Sequence, residues 1–130
     1  MFNLTQERVI FSIDNPWDTH ENMRFHRHIS RAKAMGRIST PVACIGSYKG
    51  TLEPSWMVTR GDFDAYIRDT SYVYGQESFL HLPGSPIENC WLSFPEDNST
   101  LTLEPMKLVY IQPQSDAWTY FMEQGVYGIC

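Results

Sequence analysis

The stretch that most constrains this chain is residues 41–60, PVACIGSYKGTLEPSWMVTR, in which two apolar runs flank a tight connection at residues 49–51. In residues 42–47 nearly every side chain is small or apolar, which is the pattern of a strand covered on both faces. The stretch therefore predicts a central β-hairpin. Tyr48 ends its first strand and Glu53 begins its second, so we expect a phenol and a carboxylate together at one edge of the sheet.

Length and composition predict one folded domain over residues 1–130. A chain of 130 residues can form a single core that removes about two-thirds of the unfolded surface from water. Hydrophobic residues make up 42% of the chain, aromatic residues 14% and charged residues 19%, which is typical of a globular protein. The net charge of -5 and the scattered basic residues argue against a nucleic-acid-binding surface, which is built from clustered lysines and arginines.

The termini and cysteines predict a cytoplasmic protein without a metal. Residues 1–8 lack the basic start and apolar middle of a signal peptide, and no apolar run approaches the roughly 20 residues that span a bilayer. Cys44, Cys90 and Cys130 are odd in number and far apart, and the first two lie in apolar runs. We predict buried structural thiols rather than a disulfide or a metal site, since no Cys-x-x-Cys spacing occurs.

The pattern along the first two-thirds of the chain predicts a ferredoxin-like α+β fold. A strand is predicted over residues 4–13, an amphipathic helix from residue 18 or 19 to Gly36, a second helix over residues 63–74 and a strand over residues 76–82. With the hairpin, the order is β-α-β-β-α-β, in which two helices cover one face of an antiparallel sheet.

The remaining residues predict additions to that unit. Residues 87–94 and 100–111, on either side of a turn at residues 95–99, are predicted to form an added C-terminal β-hairpin. Ser115 to Glu123 is predicted to form a short last helix, with Ser115 as its N-cap.

Several segments together resemble the small bacteriophage S-adenosylmethionine lyases, formerly called SAM hydrolases. They are NMRFHRH at residues 22–28, Gly-Ser-Tyr at 46–48, EPSWMV at 53–58 and Gln-Glu-Ser at 76–78. The resemblance spans roughly residues 10–82. The turn between Tyr48 and Glu53 is shorter here than in that family.

The resemblance implies that S-adenosylmethionine is cleaved to methylthioadenosine and homoserine lactone by attack of the substrate's own carboxylate, with no metal or cofactor. It implies that Glu53 binds the substrate α-ammonium, that Tyr48 shares this task or orients Glu53, and that Gln76 and Glu77 contact other polar groups of the substrate. It also implies a homotrimer with sites between subunits. If the gene belongs to a phage, the protein would act in the host bacterial cytoplasm.

Two alternatives from other classes remain. Without the resemblance, a tyrosine and a glutamate at strand ends are more often a surface pair than a site, and the chain could be a non-catalytic small acidic phage-type protein that inhibits a host enzyme through its apolar added hairpin. An RNA-recognition module is disfavoured by the acidic balance. His20, His26 and His28 lack a zinc-binding spacing, and a hydrogen-bonded structural role is favoured for His28.

Overall fold

The computed structural model describes residues 6–12, 19–36, 41–64, 77–85 and 87–130. Within these ranges the chain forms nine strands, one longer helix and a short helical segment at residues 60–64. In chain order the elements are β1 Arg8–Ser12, α1 Thr19–Ala34, β2 Val42–Tyr48, β3 Thr51–Thr59, β4 Phe79–Leu82, β5 Trp91–Phe94, β6 Ser99–Thr102, β7 Lys107–Val109, β8 Trp118–Phe121 and β9 Val126–Ile129.

All nine strands belong to one curled antiparallel sheet, in the order β6-β5-β4-β1-β3-β2-β8-β9-β7. The β2–β3 hairpin lies at its centre, because β3 also pairs with β1 and β2 also pairs with β8. The central hairpin predicted from residues 41–60 is confirmed. Its mostly small or apolar first strand fits a position where backbone groups pair on both sides.

The concave side of the sheet, here called the inner face, carries the main apolar core. Residues that alternate along each strand point to the same side, so register assigns them to one face. The buried members of this core are Ile10, Cys44, Met57, Leu82, Cys90, Phe121 and Val126. They come from both halves of the sheet, so the strands β8 and β9 close one core with β1 to β4.

The opposite side, here called the outer face, carries a layer of aromatic rings. Phe63, from the helical segment 60–64, packs against Phe11, Phe79 and His81, with ring centroids 5.0–6.0 Å apart. His81 in turn stacks on Trp91 at 3.6 Å. This layer covers the β1–β4–β5 part of the outer face.

The predicted amphipathic helix is present as α1, Thr19–Ala34. Gly36 follows it with a φ of 70°, a left-handed conformation that favours glycine, and its N–H donates to the carbonyl of Lys33. Ala32 of this helix is buried. No helix in the described ranges is long and apolar enough to cross a membrane.

The prediction of a ferredoxin-like α+β fold with helices on one face is wrong. The structure is mostly β, and five strands after residue 90 extend the sheet at both edges. Strands β5 and β6 continue it beyond β4, while β8, β9 and β7 continue it beyond β2. Because the long sheet curls, its strands bury their own inner face, a task that the prediction gave to helices.

The C-terminal predictions are corrected in detail. Residues 115–123 do not form a helix: Trp118–Phe121 is strand β8, whose burial alternates as in a half-buried strand. The added hairpin exists as β5 and β6, but β7 leaves it and pairs with β9 at the other edge of the sheet. The strand predicted over 76–82 is observed at Phe79–Leu82. Most of the second predicted helix, residues 65–74, lies outside the described residues.

Candidate functional site

The candidate site lies at the turn end of the central hairpin. Tyr48 and Thr51 form the last pair of the β2–β3 ladder, and only Lys49 and Gly50 connect them. Both connecting residues have positive φ, 53° for Lys49 and 80° for Gly50, as a type I′ turn requires. This two-residue turn holds the strand ends in fixed register.

Register places Tyr48 and Glu53 on the same face of the sheet. Glu53 is opposite Gly46, and Tyr48 lies two residues further along β2. The two residues are therefore diagonal neighbours, with Cα atoms about 7–8 Å apart. Both are partly buried. Their face is the inner one, because Cys44 and Met57 of the core share it.

Gly46 leaves Glu53 without a side chain opposite it on β2. A Cβ atom built on Gly46 would lie 3.3 Å from Ser55 Oγ, which itself donates to the backbone carbonyl of Glu53. Beyond Gly46 the same row continues to Thr119 of β8, which is buried. The row therefore offers a carboxylate, a gap and a hydroxyl in succession. Sequence reasoning missed Thr119, because it assigned that residue to a helix.

The electrostatics of Glu53 are those of a partly desolvated carboxylate. Burial raises its pKa above the ordinary value. Among the described residues, none donates a hydrogen bond to this carboxylate or forms an ion pair with it. Removing a carboxylate from water without pairing it is unfavourable, so a cation bound from solution would be stabilised here.

Glu77 is engaged by a lysine that sequence reasoning missed. Lys49 Nζ lies 2.9 Å and 3.1 Å from the two carboxylate oxygens of Glu77, and both side chains are exposed. The hydrogen bond to Glu77 raises the pKa of Lys49. The same ammonium lies 5.3 Å from the centroid of the Tyr48 ring. Gln76, the other predicted substrate contact, lies outside the described residues.

His81 is the most perturbed histidine described, and sequence analysis did not single it out. It is 5% exposed, and its Nε2 is 2.7 Å from Ser93 Oγ. Burial, reinforced by the positive charge of Arg60, lowers its pKa from 6.5 to about 4. The imidazole is therefore neutral at pH 7. It belongs to the aromatic layer on the outer face, whereas Tyr48 and Glu53 lie on the inner face.

Comparison with known proteins does not assign a family. No protein-family model matches the chain, and no characterised protein matches it in sequence. In the described ranges, no group of three or more histidine, cysteine, aspartate and glutamate side chains is arranged to hold a metal ion. The chemistry of the hairpin end is therefore what indicates a function.

Proposed function

We propose that the protein is a lyase that cleaves S-adenosylmethionine to methylthioadenosine and homoserine lactone. The observation that carries the proposal is Glu53, a half-buried carboxylate without a cation beside it in the described part of the chain. The resemblance of the hairpin segments to the phage lyases supplies the substrate class. S-adenosylmethionine carries an α-ammonium group and a sulfonium, and both are cations that such a carboxylate attracts.

In this proposal Glu53 accepts charge-assisted hydrogen bonds from the α-ammonium of the substrate. Tyr48, its diagonal neighbour, shares that contact or orients the carboxylate. Its ring also offers a face to the sulfonium, an attraction of about 0.5–2 kcal/mol. Gln76 and Glu77 are proposed contacts for other polar groups of the substrate. For Glu77 this requires the exposed Lys49 ammonium to move aside or to bridge to the substrate.

The reaction needs positioning more than acid–base chemistry. The substrate carboxylate attacks its own γ-carbon, a C–O bond forms there as the C–S bond breaks, and the electron pair converts the sulfonium to a neutral thioether. Neither a proton donor nor a metal is required by this balance. Holding the carboxylate in line with the breaking bond can contribute about 7–11 kcal/mol. Glu53 would achieve this by fixing the adjacent ammonium.

The test is to measure methylthioadenosine formation by wild type and by Glu53→Gln. A charged hydrogen bond of about 1.5–3 kcal/mol predicts that kcat/KM falls about 10- to 150-fold. Glu123→Gln removes the same charge from the exposed β8–β9 turn and should leave kcat/KM within about threefold. Tyr48→Phe should have a smaller defect. No product above the spontaneous rate from micromolar wild-type protein over hours would refute the lyase proposal.

We also propose that the active form is a homotrimer with sites between subunits. Tyr110 and Ile111, just after β7, are 84% and 83% exposed, and large exposed apolar side chains often mark contacts. Activity should then fall when the protein is diluted below the concentration at which the trimer dissociates. Light scattering that gives a 15.1 kDa monomer, fully active at nanomolar concentration, would contradict the shared site.

The same exposed apolar residues favour the second candidate, a non-catalytic inhibitor that binds a host enzyme. The two proposals differ in the fate of S-adenosylmethionine and in their dependence on Glu53. An inhibitor leaves S-adenosylmethionine intact, and its effect depends on Tyr110 and Ile111. A lyase forms methylthioadenosine and depends on Glu53.

A further inference from the structure

Two cysteines that are far apart in sequence lie where the two edges of the curled sheet approach each other. Cys90 directly precedes β5, near one edge of the sheet, and Cys130 directly follows β9, near the other edge. Residues 103–106 run between these two edges. The N–H of Leu103 donates to the carbonyl of Cys90 at 2.8 Å, and Lys107 pairs with Ile129. Backbone pairing alone therefore brings both cysteines to the same short segment.

Both cysteines lie next to Met106. Met106 packs against the core that contains Cys90, and it directly precedes Lys107, which pairs with Ile129 beside Cys130. A hydrogen bond from Cys130 lowers the pKa of Cys90, because it stabilises the thiolate. Cys90 is 1% exposed and belongs to the inner core, whereas Cys130 is exposed. A reagent in solution can thus reach Cys130, whereas Cys90 is shielded from it by the core.

We propose that Cys90 and Cys130 are a redox-active pair that a small disulfide, such as oxidised glutathione, joins into a disulfide bond between the two edges of the sheet. The hydrogen bond to Cys90 and burial raise the pKa of Cys130, but Cys130 is the member of the pair that the reagent can reach. Its thiolate therefore exchanges first, which forms a mixed disulfide and releases one thiol. The Cys90 thiolate then attacks the Cys130 sulfur and releases the second thiol. The protein loses two protons and two electrons, and the reagent disulfide is reduced to two thiols.

The disulfide would tie the two halves of the sheet together. It would enclose residues 90–130, which contain β5 to β9, in one covalent loop. Loop closure of that length lowers the entropy of the unfolded chain, and for a domain of this size it predicts a rise in melting temperature of about 10 °C. Cys44 is the natural contrast, since it is buried and its pKa is raised to about 12 by burial.

The test is to treat the full chain with oxidised glutathione and to measure intact mass, a peptide map and the melting temperature. The proposal predicts a loss of two hydrogen atoms in mass, a Cys90–Cys130 cross-linked peptide, and the higher melting temperature. A reducing agent should reverse all three changes. Cys130→Ser should show none of them, and Cys44→Ala should behave as wild type does.

Two results would overturn the proposal. One is a stable glutathione adduct on Cys130 with no internal cross-link, which would mean that Cys90 does not attack it. The other is a disulfide-linked dimer through Cys130, which would mean that the exposed thiol reacts with a second copy of the chain. The peptide map of the wild-type protein distinguishes these results without any variant.

Discussion

Replacing His81 by glutamine is expected to make the protein less sensitive to mild acid. The His81 ring is stacked on Trp91, with centroids 3.6 Å apart and planes at 4°, and it shares a hydrogen bond with Ser93. In this setting the imidazolium is unfavourable, because burial removes it from water and Arg60 repels it. Glutamine keeps a polar group that can reach Ser93 but carries no titratable proton in this range.

The sign and size of the effect follow from the pKa of His81. In the unfolded chain this imidazole has its ordinary pKa of 6.5, and in the fold the pKa is about 4. Below pH 6.5 the unfolded state binds a proton that the folded state does not, so stability is complete above pH 6.5 and is lost as the pH falls towards 4. The full change corresponds to about 3 kcal/mol, and solvent screening reduces it, so we expect about 1–2 kcal/mol between pH 7 and pH 5.

The assay is urea unfolding at pH 7 and at pH 5 for wild type, His81→Gln and His20→Gln. His20 is exposed in the first turn of α1 and controls for the loss of an imidazole. Glutamine loses the ring stacking at both pH values, so the quantity of interest is the difference between them. Equal losses of stability for His81→Gln and wild type between the two pH values would contradict this prediction. An NMR titration of wild-type His81 that gives a pKa near 6.5 would refute it independently.

Three further predictions concern stability. Glu53→Gln should have a higher melting temperature than wild type at pH 7, because it removes a half-buried charge. This difference should vanish in acid, where the carboxyl of Glu53 is protonated, and Glu123→Gln should show no increase. Gly128→Ala should lower the free energy of unfolding in urea by about 1–3 kcal/mol, because its Cβ would lie 2.7 Å from Met106 Sδ and 2.9 Å from the buried Phe121 ring. Gly61→Ala should not destabilise the protein, because no atom lies within 4 Å of the added Cβ. A double-mutant cycle of Lys49→Ala and Glu77→Ala should give only a small coupling that disappears in high salt, since both side chains are exposed.

The centre of the sheet could be predicted from sequence because its signals are local. In residues 42–48, small or apolar side chains follow one another, and Lys49-Gly50 supplies the left-handed turn. These features fix the register, and register alone puts Tyr48 and Glu53 on one face. The boundary of α1 was predictable for the same reason, because Gly36 adopts the left-handed conformation that ends a helix.

The fold class could not be predicted because it depends on pairings between distant residues. Ser47 pairs with Trp118, and the local sequence of neither segment predicts this pairing. Residues 118–121, WTYF, are β-branched or aromatic and precede a turn with Gly125 at a φ of 66°, so the strand signal was present. Ser115 instead predicted a helix N-cap, but in the structure its hydroxyl hydrogen-bonds the backbone of Ala117 in a local turn.

The candidate site has a polar row whose members come from both the correct and the incorrect parts of the prediction. Glu53 and Gly46 belong to the predicted hairpin, and Thr119 belongs to a strand that was predicted as a helix. A carboxylate on the inner face reduces stability, and Gly46 opposite it contributes no side chain that would pair with it. A cation that binds at Glu53 in the folded state, and not in the unfolded state, would stabilise the fold. S-adenosylmethionine should therefore raise the melting temperature of wild type and not that of Glu53→Gln. Equal shifts for the two proteins would place the binding site elsewhere on the sheet.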